Sequence, residues 1–323
     1  MNSLQPRFFQ TPTAGGADAR AELASSLLCR PAAVAPKFFY DRLGSALFVA
    51  ITELPEYYPT RTEAAIFAAH QADIATAVEA RVGRHCTLVD LGAGDGAKAA
   101  RLFAPLRPAR YVAVDISVDF VQEALRGLQS RFPEIEMIGV GIDFSSRLVL
   151  PAGIVDGPAL LFYPGSSIGN FGPAAALRLL RQARKLVAGG ALLIGVDLVK
   201  PAAVLEAAYD DALGVTAAFN RNLLRHVNRL LGSDFDIADW RHVARFDAAA
   251  SRIEMHLEAR RDLGVCWPGG ERRFAAGERI HTEHSYKWTR AGFEALLRDA
   301  GFGGVQTWTD GQEWFAVMLA SAS

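Results

Sequence analysis

Leu88-Val-Asp-Leu-Gly-Ala-Gly-Asp-Gly-Ala-Lys98 decides the fold. An apolar strand runs into three glycines at alternate positions, Gly92, Gly94 and Gly96, and then into an Ala-rich helix from Ala97 to Leu106. Glycine at such a turn lets a ligand lie against bare backbone, without a Cβ clash or a φ penalty. About twenty residues on, Tyr111-Val-Ala-Val-Asp115 is a second strand of buried type, ending in an acid suited to hydrogen bonding both hydroxyls of a ribose. The pair predicts a nucleoside-binding α/β unit; a Gly-rich turn that binds nothing is the competing reading.

The glycine spacing narrows the choice of nucleoside. Dinucleotide folds favour G-x-G-x-x-G, with a helix N-terminus facing a pyrophosphate. Here the pattern is G-x-G-x-G, and Asp95 stands among the glycines. A negative charge there repels a pyrophosphate but tolerates the cationic sulfonium and amino group of S-adenosylmethionine.

Outward from this segment, strands are predicted at 87–91, 110–115, 136–142, 158–163 and 190–197, with helices between most of them. Such alternation implies a parallel sheet covered on both faces. Thr60-x-x-Glu63 reads as a capping box opening a helix to about Val82, with Ile66, Ile74 and Val78 near helical spacing. At the other end, Thr289 to Ala300 reads as a helix stopped by Gly301-Phe-Gly-Gly304, then a strand Val305 to Thr309. Asp310-Gly311 is a tight-turn signal before a last strand, Trp314 to Leu319. A helix and hairpin closing a parallel sheet with an antiparallel edge strand is the ending of class I methyltransferases, not of nicotinamide dehydrogenases. The fold expected is therefore α/β, a class I methyltransferase Rossmann-like sheet.

Between 198 and 286 the alternation breaks. Helical segments near 201–213 and 215–231 precede alternating β-type runs at 241–260 and 279–286. The division expected is a methyltransferase domain at 62–197 and 287–323. A second domain, from 21–61 and 198–286, would lie over the cofactor site, and residues 1–20 would form a flexible lead.

Composition removes other classes. The chain has 323 residues, 50% hydrophobic and 21% charged, with a formal net charge of -1, so it carries no basic footprint for nucleic acid. No apolar run approaches the ~20 residues that span a bilayer. Met1 to Arg20 is polar and Gly/Ala-rich, unlike a signal peptide. Cys29, Cys86 and Cys266 are few, odd in number and scattered, as reduced thiols of a cytoplasmic protein would be. A cytoplasmic small-molecule enzyme, monomeric and without nucleic-acid or membrane partner, is expected.

Several blocks outside the nucleotide fold resemble one family, the histidine Nα-methyltransferases that make hercynine on the route to ergothioneine. They are Tyr40-Asp-Arg-Leu-Gly-Ser45, Leu54-Pro-Glu-Tyr-Tyr-Pro-Thr-Arg-Thr-Glu63, Gly165-Ser-Ser-Ile-Gly-Asn-Phe171, Asp197-Leu-Val-Lys200, Ala208-Tyr-Asp-Asp211, Thr216-Ala-Ala-Phe-Asn220 and Thr282-Glu-His-Ser-Tyr-Lys287. The resemblance runs from about residue 37 to the end.

It implies a set of roles. Gly92 would lie under the methionine part of S-adenosyl-L-methionine, with Tyr57 and Lys98 reaching its polar groups. Asp115 would hold the ribose hydroxyls, and Asp143-Phe144 would read adenine. The carboxylate of L-histidine would meet Asn170 and Tyr209, with Gly165 letting backbone approach. Glu283 and Ser285, on one strand face, would hold the imidazole, and Met255 would pack against it; a solvated face and plain core packing are the alternatives. Tyr40 and Asn170 would stand beside the reacting amine, and the faces of Tyr40 and Phe48 would accommodate the methylated cation. Another amine substrate, such as a tryptophan derivative, and a non-catalytic S-adenosylmethionine-binding subunit are the rival functions.

Two further motifs are set aside. His281-x-x-His284 lacks a third ligand at metal-site spacing, so no metal is expected. Ser166-Ser167 lacks the G-x-S-x-G elbow of serine hydrolases.

Overall fold

The structure, a computed structural model, describes residues 4–10 and 16–322. It divides into two compact units. One contains the N-terminal strand, Arg61–Val199 and the segment from Trp288 onward; the other contains the remaining residues up to Thr60 and Lys200–Lys287.

The first unit is built on eight strands in the order Arg7–Gln10, Glu136–Gly141, Arg110–Asp115, Thr87–Leu91, Ala159–Tyr163, Ala191–Asp197, Phe315–Ser321, Gly303–Thr309. The central strands are apolar at successive positions because both faces are covered. Alternation sorts their side chains into two layers. Val89, Val112, Ile138, Leu161 and Ile194 pack with Leu179, Leu180 and Phe293 on one face. Leu88, Tyr111, Met137, Leu160 and Leu193 pack with Ile74, Val78, Leu102 and Leu125 on the other. Successive strands step outward from Thr87–Leu91 on one side, then resume on its other side with Ala159–Tyr163. The strand order therefore reverses beside Thr87–Leu91, where open α/β sheets bind ligands. This is the class I methyltransferase strand order.

Four expectations need correction here. Residues 7–10 of the supposed lead form a strand parallel to Glu136–Gly141, and a helix runs from Gly16 to Leu28; residues 1–3 and 11–15 lie outside the described residues. The antiparallel strand is not the edge. Phe315–Ser321 lies between Ala191–Asp197 and Gly303–Thr309, so the outermost strand runs parallel to the rest. Residues 310–314 make a longer connection than a two-residue turn, organised by the Asp310 carboxylate, which accepts from the N–H groups of Gln312, Trp314 and Phe315. Finally, the helix Tyr58–Val82 begins before Thr60, so Thr60 and Glu63 are not its capping box.

The second unit carries a four-stranded sheet, ordered Ala32–Ala33, Arg279–Tyr286, Arg252–Ala259, Trp240–Asp247. The helices Gly16–Leu28, Arg42–Thr52, Ala202–Tyr209 and Val215–Leu231 belong to the same unit. Asp211 starts the last of these by accepting the N–H groups of Val215 and Thr216. Asp41 caps Arg42–Thr52 through the N–H of Gly44. A short hairpin, Leu263–Trp267 with Gly270–Phe274, was not expected from the sequence. Trp240, Phe235 and Phe274 form an aromatic cluster, with Trp240–Phe274 centroids 5.0 Å apart.

The unit boundaries differ from the expected ones by a few residues, and hydrogen bonding explains why. Val199 donates its N–H to Trp288, which ties it to the first unit. Lys287 donates its N–H to Ser251 and accepts from the Ser251 hydroxyl, which ties it to the second.

Candidate active site

In the first unit, Gly92, Gly94 and Gly96 all have positive φ, 68°, 55° and 69°, which explains three glycines in one turn. Gly92 and Ala93 donate their N–H groups to the Val114 carbonyl, fixing the loop against the next strand. At the end of that strand, Asp115 accepts from Gly94 N–H at 3.0 Å and Ser117 N–H at 2.9 Å. Burial raises its carboxyl above the ordinary value, and those N–H groups oppose the rise. Beneath the loop, burial pushes Asp90 up to about 7, against the hydrogen bond it receives from Tyr111 at 2.8 Å.

Lys98, in the first turn of the helix Ala97–Leu106, pairs with Glu63 at 2.7 Å. Glu63 is 2% exposed and also accepts the N–H of Gly165 at 2.7 Å. A side chain at Gly165 (φ 75°) would place its Cβ 3.0 Å from Lys98 Nζ, so glycine suits both the backbone conformation and the close approach of the lysine. One carboxylate thus joins the cofactor-side lysine to the Gly165 loop. That loop continues through Ser166, whose hydroxyl accepts Asp197 N–H, into a 3-10 turn ending at the half-buried Asn170. Phe144 packs edge-on to Tyr163 at 5.9 Å, and a Cβ added to Gly92 would lie 4.0 Å from its ring. Asp143 lies just beyond the strand Glu136–Gly141, and its Oδ1 accepts from the N–H and hydroxyl of Ser145. Gly92, Lys98, Asp115 and Phe144 thus lie around the carboxyl end of the central strands. A carboxylate, an ammonium and an acidic glycine loop around one sheet end are chemistry that fits S-adenosylmethionine.

In the second unit, four predicted residues form a chain of edge-to-face rings. Tyr40 meets Phe48 at 5.9 Å, Phe48 meets Tyr57 at 6.2 Å, and Tyr57 meets Tyr209 at 6.2 Å. Phe219, which sequence reasoning passed over, touches Tyr40 and Phe48 and stacks on Phe39 at 4.5 Å. Phe48 is half-buried and part of this aromatic wall.

The strand Arg279–Tyr286 carries Glu283 and Ser285 on one face, and a register shift between His281 and Glu283 sets their pairing. Met255 is the direct cross-strand partner of Glu283. The shift brings His281 and His284 together on the other face, their rings 5.5 Å apart, with His256 5.3 Å from His281. Burial drives the His281 imidazole down to about 4 and lowers that of His256. Among the described residues no group of three or more His, Cys, Asp or Glu could hold a metal ion.

Glu283 is 8% exposed, and burial pushes its carboxyl up to about 7 while Lys287 pulls it down. Ser285 accepts from Tyr209 at 2.9 Å and from Lys287 at 2.9 Å. The Tyr209 hydroxyl proton is therefore directed at Ser285. The backbone of Tyr209 is held as well. His242 donates Nε2–H to its carbonyl and accepts from Asn220 at Nδ1, a tautomer consistent with the lowered imidazole value that burial produces.

Besides Phe219, two residues were missed in sequence, Glu63 in the first unit and Lys287 in the second. Glu63 sits where helix-start spacing offered a simpler explanation, and nothing local signals its long-range partners. Lys287 was detectable, because it follows Ser285 by two positions where the alternating run ends.

The first unit's topology, with its glycine loop and acidic second strand, defines a class I methyltransferase. The profile of the family described as histidine-specific methyltransferase, SAM-dependent, matches residues 19–322, and the chain belongs to that family. It is 40% identical over 308 residues to the histidine N-alpha-methyltransferase of Mycolicibacterium smegmatis, covering 93% of this chain and 94% of that one. The histidine N-alpha-methyltransferase of Mycobacterium tuberculosis is 40% identical over 316 residues, covering 95% and 96%. Ergothioneine biosynthesis protein 1 of Neurospora crassa is 30% identical over 294 residues, which is 88% of this chain and 32% of that protein. No helix among the described residues is long and apolar enough to cross a membrane.

Proposed function

We propose that the protein methylates the α-amine of L-histidine three times, forming hercynine, in the cytoplasm. The observation that carries this reading is the strand face bearing Glu283 and Ser285, with Met255 directly opposite the glutamate. A carboxylate and a hydroxyl two residues apart suit the two ring nitrogens of an imidazole, and a thioether side chain suits its flat face. The two close relatives named for histidine Nα-methylation support the choice of substrate. The three free cysteines suit a reducing compartment.

In this reading Gly92, Lys98, Asp115, Asp143, Phe144 and Tyr57 bind S-adenosylmethionine, which supplies an electrophilic methyl group on a sulfonium. Asn170 and Tyr209 hold the histidine carboxylate, with Gly165 giving backbone access. The Tyr209 proton stays directed at Ser285, so Asn170 donates to the carboxylate and the phenol sets its position. Tyr40 and Asn170 accept from the amine and aim its lone pair. An α-amine titrates near 8, so a neutral fraction exists at physiological pH and no strong base is needed. In each transfer the nitrogen lone pair forms the new N–C bond as the S–C bond breaks, and a proton leaves the ammonium to water before the next. Alignment supplies most of the rate, with effective molarities of roughly 10⁵ M or more. The aromatic chain from Tyr40 to Tyr209 offers π faces to the growing methylammonium.

The test is mass spectrometry of purified protein incubated with S-adenosylmethionine and L-histidine, with L-tryptophan and histamine in parallel. Histidine gaining three methyls while histamine stays inert is the expected outcome. Tryptophan methylated in preference to histidine would overturn the imidazole assignment and leave the methyltransferase.

A further inference from the structure

Lys287 has a part in this site that the roles above do not include. It is 3% exposed, and its Nζ donates to Ser285 Oγ at 2.9 Å and to the Tyr209 hydroxyl at 3.1 Å, above a ring whose centroid is 4.8 Å away. An ammonium can only donate. The phenol is a stronger acid than an aliphatic alcohol, so Tyr209, while accepting from Lys287, donates onward to Ser285 at 2.9 Å. Ser285 Oγ then receives two hydrogen bonds, which fill both lone pairs of a hydroxyl. Only its own O–H remains, and that group can act solely as a donor. Glu283, on the same strand face, has the opposite polarity, since an ionised carboxylate only accepts. The wall therefore presents one donor and one acceptor.

We propose that Lys287 is a positioning residue that, together with Tyr209, locks Ser285 as a donor. The site then takes the side-chain ring as a neutral imidazole in one tautomer, its bare nitrogen toward Ser285 and its N–H toward Glu283. The proposal rests on the reading of Glu283 and Ser285 as the imidazole partners. Without Lys287, Ser285 can turn its proton inward and accept, and both walls of the site become acceptors. An imidazole in either tautomer then leaves one of them unpaired. Selectivity follows from the same geometry, because a buried donor left without an acceptor penalises a ring such as phenyl.

A double-mutant cycle on the full chain separates this role from general support of the fold. The dissociation constant of L-histidine is measured calorimetrically at pH 8.5 with S-adenosylhomocysteine saturating, for wild type, Lys287→Met, Ser285→Ala and the double variant. Each single change is expected to weaken binding by about tenfold. The double variant should be no more than about twofold worse than Ser285→Ala, because the lysine acts through the serine. Losses that multiply, or an unchanged Lys287→Met, overturn the proposal and leave the imidazole reading standing. An unchanged Ser285→Ala overturns the imidazole reading itself.

A second measurement needs no variant. Ring-¹⁵N-labelled L-histidine bound to wild type should show one protonated and one bare nitrogen. Two equivalent protonated nitrogens, or a tautomer average, overturn the proposal whatever the variants do.

Discussion

Glu283 shows how a side chain proposed for recognition can oppose stability. Its carboxyl is raised from 4.5 to about 7 chiefly by burial, with the Lys287 charge opposing. The folded protein therefore holds this proton more tightly than the unfolded chain. The stability it contributes is complete below pH 4.5 and is lost as pH rises through 7. Glu283→Gln removes the buried charge, so at pH 8 its melting temperature should exceed that of wild type by roughly 3 °C. At pH 4 the two should melt together, and a gain of equal size at both pH values would show that the carboxylate charge is not the cause. The same variant should bind L-histidine about tenfold more weakly, since an amide replaces the acceptor. The identity of Glu283 was legible in the Thr282–Lys287 block. Its raised carboxyl was not, because burial depends on what the rest of the unit packs around it.

At the scale of the element, the strand Ala191–Asp197 supports the cofactor side of the site without contributing a side chain to it. Gly195 leaves room for Glu63, and a Cβ there would stand 2.1 Å from Glu63 Oε1 and 3.0 Å from the Phe315 ring. Gly195→Ala should displace Glu63, free the N–H of Gly165 and detach Lys98 from its partner. We expect S-adenosylmethionine to bind about tenfold more weakly, measured by titration calorimetry, with a lower melting temperature. A lower melting temperature with unchanged cofactor affinity would show that Glu63 does not set the lysine. Most elements were readable from periodicity, and the central strands were located to within a residue or so of their ends. Three features were not. Arg7–Gln10 is short, and its pairing with Glu136–Gly141 is a long-range event. The Leu263–Phe274 hairpin is short and interrupted by charges. Thr60-x-x-Glu63 has the spacing of a cap, but that spacing also occurs inside a helix, where residues three apart share a face.

At the scale of the whole molecule, the proposed roles assign Asp115 and Glu283 to different ligands. Asp115 belongs to the unit with the glycine loop, and Glu283 to the unit with the aromatic chain. Asp115→Ala should weaken S-adenosylmethionine binding about tenfold or more and leave L-histidine binding nearly intact, and Glu283→Ala should do the reverse. Separate titrations of each ligand check this. Equal losses of both ligands in either variant would sink the assignment.

The chain by itself determined the fold class, the cofactor loop and the family. Each is written in contiguous residues: alternating glycines after an apolar strand, an acid ending the next strand, and blocks such as Leu54–Glu63 and Gly165–Phe171. Local sterics and hydrophobic periodicity act over a few residues and can be read along the chain. Only the tertiary structure decided that Glu63 joins Lys98 to Gly165 across 35 and 102 positions, and that Lys287 and Tyr209 fill the lone pairs of Ser285. Hydrogen-bond polarity and desolvation depend on which groups are brought within about 3 Å, and residues distant in sequence reach that range only through folding.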